Sequence, residues 1–213
     1  WEVRIVISKE TTTMRNTIPI DEKIREVKLR YNPITITVNK FDEDAARKFR
    51  DEVNAAHNTG QPIIPVIIAS YGGAVYSLLN MIDTINSASL PIMTIAEGKA
   101  MSCGAVLLSC GTKGYRYSAE NATIMIHDVS SMSSRQKVEE LKADVNESDR
   151  LNNKIMRLMS SNCGKRPDYF LKEIHKRGRA DWFLEADECL EIGLVDHIGM
   201  PEMKISVNVE IEV

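Results

Sequence analysis

The sequence predicts an α/β fold built around a parallel β-sheet, and three observations support this. Strand-like and helix-like hydrophobic patterns alternate along the chain from residue 34 onwards. Residues 63–69 form an almost unbroken β-branched run, which is typical of a strand covered on both faces. Turn residues such as Gly72-Gly73 follow the predicted strands, where the crossovers of a parallel sheet would begin.

The two ends of the chain show simpler patterns. Val3, Ile5 and Ile7 alternate with polar residues and predict a short strand, whereas the polar, threonine-rich residues 8–16 predict a loop. Residues 20–29 predict one short helix. Apolar residues alternate again over 201–213, which predicts a terminal strand suited to pairing across a subunit contact.

The central elements follow in order. Residues 34–38 alternate as a strand, and Asp42 is a suitable N-cap for the amphipathic helix that comes next. The strand over 63–69 carries Pro65 near its start, because proline cannot donate to a ladder. The same reasoning predicts a helix over 75–85, a strand over 91–96, a short helix over 102–109 and a strand over 123–126.

Residues 133–163 predict one long helix with a narrow apolar stripe. The stripe comprises Val138, Leu141, Val145, Leu151, Ile155 and Leu158. At 1.5 Å per residue, a helix of about 30 residues is roughly 45 Å long, more than a compact domain of this size covers. We therefore expect the helix to project and to bury its stripe against another subunit. A kinked pair of helices within one subunit is the alternative.

The composition suits one main domain and excludes several functions. The chain has 213 residues, 43% hydrophobic and 27% charged, with a net charge of −3. Lysine and arginine are spread along the chain, so no nucleic-acid partner is expected. No apolar run reaches the about 18 residues of a membrane span. The four cysteines form no C-x-x-C pair and no cluster has metal-ligand spacing, so we expect reduced thiols, no metal and no other cofactor.

Ser102 and His127 are the candidate nucleophile and general base. Both follow predicted buried strands, and the carboxyl ends of parallel strands share one edge of a sheet. A serine hydroxyl needs a base to take its proton, and histidine suits that role near neutral pH. Taken singly, Ser102 would be an ordinary N-cap and His127 a core histidine. Together at one edge, they predict acyl-transfer chemistry.

The glycine pair next to this edge has two interpretations. Gly72 and Gly73 allow a tight turn with unusual dihedrals, which is a purely structural role. Their backbone N–H groups can also point at a substrate carbonyl, with the N–H of Cys103 as the second donor. The sequence therefore predicts an oxyanion hole formed by Gly73 and Cys103, with Gly72 as a further candidate.

Four motifs in this order resemble the proteolytic subunit of the Clp protease, the ClpP family of serine peptidases within the crotonase-like superfamily. They are Ser70-Tyr-Gly72-Gly73, Gly98-Lys-Ala-Met-Ser102-Cys-Gly-Ala, Met125-Ile-His127-Asp-Val and Phe183-Leu-Glu-Ala-Asp-Glu-Cys-Leu-Glu-Ile-Gly193-Leu-Val-Asp196. The resemblance implies a spiral of ββα units with a protruding handle helix over 133–163. It covers a protease domain at 31–200, flanked by a divergent segment at 1–30 and a terminal strand at 201–213.

The resemblance also implies an assembly and a function. Members of the family stack two heptameric rings into a barrel of 14 subunits that encloses the active sites. We therefore expect a cytoplasmic serine endopeptidase that hydrolyses polypeptides and is fed by an ATP-dependent AAA+ unfoldase, without a cofactor of its own. A catalytically impaired structural ring subunit and an acyl-CoA enzyme of the same superfamily are the alternatives.

One departure from the family concerns the third catalytic residue. The family carries an aspartate six positions before the phenylalanine of the last motif, and Arg177 stands there in this chain. A cation cannot orient His127 or stabilise its imidazolium. Asp181 is the candidate acid in its place, Asp168 and Asp128 are weaker candidates, and a structural ion pair is the competing interpretation of Asp181. A Ser–His dyad without a third member is also open.

Overall fold

The computed structural model describes residues 5–7, 10–12, 33–130 and 137–202. The chain divides into two compact units, of which the larger is residues 33–200. In the smaller unit, β1 (Ile5–Ile7) and β2 (Glu10–Thr12) pair as antiparallel strands. The predicted first strand is therefore present, but β2 lies where we expected a loop. The helix expected at 20–29 lies outside the described residues, as does the terminal strand expected at 201–213 apart from residues 201–202.

The larger unit contains a mixed β-sheet. Its strands are β3 (Ile36–Val38), β4 (Ile64–Ser70), β5 (Ile92–Met101), β6 (Arg116–Ser118), β7 (Thr123–Ile126), β8 (Trp182–Leu184) and β9 (His197–Ile198). Strands β3, β4, β5, β6 and β9 lie side by side in that order and are parallel, as predicted. Strand β7 pairs in parallel with β5, and β8 pairs with β7 in the antiparallel sense. The antiparallel strand was not predicted.

The helices alternate with these strands. They are α1 (Glu43–Ala56), α2 (Val75–Ser87), α3 (Cys103–Ser109), α4 (Val138–Asn162), α5 (Tyr169–Lys176) and α6 (Ala186–Glu191). Helix α1 begins as the sequence predicts, because the Asp42 side chain accepts a hydrogen bond from the Ala45 N–H at 2.8 Å. Its buried face carries Phe49 and Val53, which join the hydrophobic core. The result is the α/β architecture expected from the alternating patterns.

Helix α4 is a single helix of 25 residues, about 37 Å long at 1.5 Å per residue. It begins at Val138, whereas we expected residue 133; residues 131–136 lie outside the described part of the chain. The apolar stripe divides along its length. Val138 and Val145 are exposed near the N-terminus, while Leu151 and Ile155 are buried in the larger unit. One half of the helix therefore belongs to the core, and no part of the chain that the structure describes covers the stripe on the other half.

Candidate active site

The Gly72-Gly73 turn follows β4 and is packed tightly on both sides. Both glycines have positive φ angles, 108° and 152°. A Cβ on Gly72 would lie 2.7 Å from the Ser102 Cβ, and a Cβ on Gly73 would lie 2.5 Å from the Phe41 carbonyl oxygen. Side chains are therefore excluded at both positions. The absence of side chains brings the backbone of this turn directly against Ser102.

Ser102 occupies the turn between β5 and α3 in a strained conformation. Its φ is 54° and its ψ is −119°, which is unusual for a residue with a Cβ. The backbone is held there by the Ser102 N–H, which donates to the Met125 carbonyl at 2.8 Å. Although Ser102 is the N-cap residue of α3, its side chain makes no capping hydrogen bond. The ordinary N-cap interpretation therefore fails, and the hydroxyl remains available for chemistry.

Strand register places Asp181 opposite His127. Strands β7 and β8 are antiparallel, and Ile126 pairs with Trp182. The ladder ends at this pair, so His127 directly follows β7 and Asp181 directly precedes β8, and the His127 Nδ1 lies 3.9 Å from the Asp181 Oδ1. The side chains are 23% and 52% exposed, respectively. A carboxylate at Nδ1 leaves the Nε2 of His127 free to accept a proton, which is the arrangement that a general base requires.

The other candidate acids have different partners. Asp168 lies 2.5 Å from Lys172, and hydrogen bonding to Lys172 lowers the pKa of its carboxyl. Asp128 accepts a hydrogen bond from Asn152 Nδ2 at 2.8 Å. Among the described residues, neither carboxylate contacts the His127 ring. The structure therefore brings only Asp181, of the three predicted candidates, to the histidine.

Arg177, which stands at the family's aspartate position, is engaged elsewhere. Its Nη1 lies 2.9 Å from the Glu173 Oε2, and its guanidinium stacks 4.1 Å from the centre of the Trp182 ring. This arrangement gives the cation a carboxylate and an aromatic face at the end of α5. Among the described residues Arg177 therefore makes no contact with His127, whereas the carboxylate of Asp181 does.

A cavity of about 270 Å³ joins the serine and the histidine. Ser102 and His127 line it together with Gly73, while Val106, Ile155 and Met156 line it with apolar side chains. Among the described residues, no hydrogen bond connects the Ser102 hydroxyl to the His127 ring. A second cavity of about 350 Å³ lies between β3 and α1, but no histidine, cysteine or serine lines it. The first cavity is therefore the candidate active site.

Three backbone N–H groups near Ser102, those of Gly72, Gly73 and Cys103, are candidate donors to a substrate oxyanion. The Gly72 N–H donates to the Ser70 Oγ at 3.1 Å, so in this structure it is engaged within the turn rather than free. The N–H groups of Gly73 and Cys103 have no protein acceptor among the described residues, and Cys103 begins α3, where N–H groups lack intrahelical partners. These two groups can stabilise an oxyanion.

The Cys103 side chain connects the two donor segments. Its thiol donates a hydrogen bond to the Gly73 carbonyl at 3.2 Å, and the residue is 2% exposed. Burial raises the pKa of this thiol. A raised pKa disfavours the thiolate, so the thiol acts here as a hydrogen-bond donor.

Sequence reasoning missed Asn152 and Arg179, which surround Asp128 next to the histidine. Asn152 is 9% exposed on α4 and bonds to the Asp128 carboxylate, and Arg179 approaches the other oxygen at 3.4 Å. The sequence did contain a signal for Asn152. Val138, Val145 and Asn152 are spaced seven residues apart, so Asn152 lies in line with the apolar stripe. A polar residue at a position otherwise used for packing often makes a specific buried contact.

Two absences apply to the described part of the chain. Its histidine, cysteine, aspartate and glutamate side chains form no group suited to a metal ion. Nor does any helix within it combine the length and apolarity that crossing a bilayer demands.

Comparisons with known proteins give one consistent result. The Clp protease family model matches residues 23–202. The chain is 35% identical over 135 residues to ATP-dependent Clp protease proteolytic subunit 1 of Rhodopirellula baltica, covering 63% of this chain and 57% of that protein. It is 33% identical over 143 residues to ATP-dependent Clp protease proteolytic subunit 3 of Synechococcus sp. (strain CC9605), covering 67% and 69%, respectively. The chain thus spans less than two thirds of the length of the first relative.

Proposed function

The chain belongs to the Clp protease family, and from this premise we propose that it is a serine peptidase with Ser102, His127 and Asp181 as its triad. The observation that carries the proposal is the 3.9 Å contact between the Asp181 Oδ1 and the His127 Nδ1 at the end of the β7–β8 ladder, beside the cavity that Ser102 and His127 line. The aspartate thus reaches the histidine although the family's usual position holds Arg177.

The residues supply each step of peptide hydrolysis. The His127 Nε2 takes the hydroxyl proton as the Ser102 Oγ attacks the carbonyl carbon. The Gly73 and Cys103 N–H groups stabilise the oxyanion. His127 then gives the proton to the leaving amine, and a water molecule hydrolyses the acyl-serine by the same route. Asp181 stabilises the imidazolium; we expect the 3.9 Å separation to shorten when substrate binds, because catalytic contacts are often long in free enzymes.

We propose that the substrates are polypeptides and that the chain works within a ring-shaped homo-oligomer, two heptamers forming a 14-mer. The apolar end of the cavity, at Val106 and Met156, suits a substrate side chain. The exposed part of the α4 stripe, with Val138 67% and Val145 49% exposed, suits burial against a second copy. Both relatives are named ATP-dependent proteolytic subunits, which supports an AAA+ unfoldase as the partner.

A catalytically impaired ring subunit is the second candidate function. The observation that favours it is the missing hydrogen bond between Ser102 and His127 among the described residues. In that case the subunit would contribute to the barrel and bind polypeptide without hydrolysing it. Such a subunit would assemble normally but leave Ser102 unreactive.

Labelling with a fluorophosphonate, followed by intact-mass spectrometry, separates the two functions. We expect one adduct on the wild type and none on Ser102→Ala. Asp181→Asn should lower the labelling rate and the hydrolysis of a fluorogenic peptide by up to about 10⁴-fold, since this is the cost of losing the third member of a triad. Asp168→Asn is the matched control and should retain the wild-type rate. No adduct on folded, assembled wild-type protein would contradict the peptidase and support the impaired subunit.

A further inference from the structure

One buried side chain of helix α4 is hydrogen-bonded to the segment that follows β7. Asn152 is 9% exposed, and its Oδ1 accepts a hydrogen bond from the Val129 N–H at 3.1 Å. Its Nδ2 donates to the Asp128 Oδ1 at 2.8 Å. Both bonds reach the two residues that directly follow His127. A buried amide with a donor and an acceptor bonded in this way fixes the course of the segment it contacts.

The second oxygen of Asp128 faces the loop that carries Asp181. The Arg179 Nη1 lies 3.4 Å from the Asp128 Oδ2. Arg179 has a φ of 62°, and left-handed backbone of this kind is unfavourable for a residue with a Cβ. Its N–H donates to the Ile174 carbonyl at 3.0 Å. The strained residue is therefore held at both its backbone and its side chain, two positions before Asp181.

Asp181 depends on this loop for its position. Its side chain is 52% exposed, and within the described residues its carboxylate has no partner other than His127. At 3.9 Å the His127 contact alone does not fix a half-exposed carboxylate, because exposed ion pairs contribute little and compete with solvent. Other contacts must therefore set the backbone around Asp181. The chain after it is set by the pairing of Trp182 with Ile126, and the loop before it is held to the end of β7 by the Arg179–Asp128 pair.

We propose that Asp128, Asn152 and Arg179 form a positioning clamp that sets Asp181 against His127. The inference rests on the proposed peptidase function and assigns roles to three residues outside the triad. In the clamp, Asn152 holds Asp128, Asp128 holds Arg179, and Arg179 sets the loop. The Arg179 contact is the weaker step, since its side chain is 65% exposed, so the buried Asn152 provides the anchor.

Exchange of the amide and the carboxylate provides the test. Asn152→Asp places a second carboxylate against Asp128, and we expect kcat for a fluorogenic peptide to fall by about 10²-fold with little change in KM, because a displacement of about 1 Å costs that much. Adding Asp128→Asn restores an amide–carboxylate pair with the partners exchanged. The double variant should regain most of the lost kcat, which a purely structural loss would not predict.

Two further variants separate positioning from folding. Asn153→Asp introduces the same charge one residue further along α4, at an exposed side chain, and should leave kcat unchanged. Arg179→Gly relieves the left-handed strain while deleting the contact, so we expect unchanged thermal stability with kcat at least 10-fold lower.

The outcomes distinguish this inference from the proposed function. If the wild type labels at Ser102 but Asn152→Asp and Arg179→Gly keep the wild-type kcat, the clamp is wrong and the peptidase stands. If Asn152→Asp loses activity, the exchanged double variant does not recover it and Arg179→Gly keeps the wild-type kcat, the clamp is also wrong. If the wild type shows no Ser102-dependent labelling, the proposed function itself has failed.

Discussion

Asp196, at the end of the last family motif, is predicted to stabilise the fold through a buried cation. Arg116 is 1% exposed, and its Nε and Nη2 donate to the two Asp196 oxygens at 2.8 and 2.6 Å. The Gly114 N–H donates to the same carboxylate at 2.8 Å. Lys113 also lies 3.2 Å away, but its side chain is 74% exposed. One carboxylate thus has a buried and an exposed cation as partners.

Asp196→Asn would leave the buried Arg116 guanidinium without a counter-charge. We expect the free energy of unfolding to fall by about 3–5 kcal/mol, the cost of breaking a buried pair by removing one partner. Lys113→Met removes the exposed partner and should cost less than about 1 kcal/mol. Urea unfolding followed by circular dichroism, at one fixed protein concentration, measures both. Equal effects of the two substitutions would refute the reasoning from burial.

The same pair predicts a pH dependence. Burial would raise the pKa of Asp196, but hydrogen bonds from Arg116 and Gly114 outweigh burial and hold the pKa well below its ordinary value of 3.8. A carboxyl with a lowered folded-state pKa stabilises the fold above its unfolded-state pKa, and this contribution is lost as pH falls through the folded-state pKa. The stability difference between wild type and Asp196→Asn should thus be constant above about pH 5 and shrink below about pH 4. A difference that persists undiminished at pH 2 would contradict this.

The remaining predictions concern the site and the thiols. Gly72→Ala should reduce fluorophosphonate labelling by about 10²-fold or more, because its Cβ would lie 2.7 Å from the Ser102 Cβ. Gly98→Ala is the control, because Gly98 also has a positive φ, 68°, but open space around it. Equal labelling of the two variants would show that a Cβ at Gly72 does not displace Ser102. Burial raises the pKa of Cys110 and Cys189 to about 12, so we expect both to resist Ellman's reagent at pH 8 in the native protein, with four thiols reacting in denaturant. A rapid reaction of either thiol in the native protein would show that this thiol is not buried.

Local patterns were sufficient for the longer elements of the fold. The N-cap at Asp42, the stripe of α2 and the β-branched run of β4 each repeat with the period of one secondary structure, and the structure contains these elements close to their predicted bounds. Strands β6, β8 and β9 are only two or three residues long. Unlike β1 and β3, which lie within longer alternating runs, these segments show no such run, and their pairing depends on partners far away in sequence.

In the candidate site, too, some residues could be predicted from local patterns and others could not. Ser102 and His127 could be predicted as candidates because each directly follows a strand with a clear pattern, and both line one cavity in the structure. The candidate acid was harder to predict, because an alignment by position selects Arg177, whereas the carboxylate that lies near His127 in the structure is that of Asp181. The engaged Gly72 N–H was likewise invisible, since its acceptor is fixed by the geometry of the turn.

The sequence by itself determined the α/β class, the order of the main elements, the family resemblance and the two residues at the strand ends. These follow from local periodicity and short motifs, which are properties of neighbouring residues. Only the tertiary structure decided that Asp181 meets His127, that Arg177 binds Glu173 instead, and that Asn152 holds Asp128. Those contacts join segments up to 54 residues apart in sequence, as between His127 and Asp181, and side chains so far apart meet only after backbone pairing has set the register of the sheet.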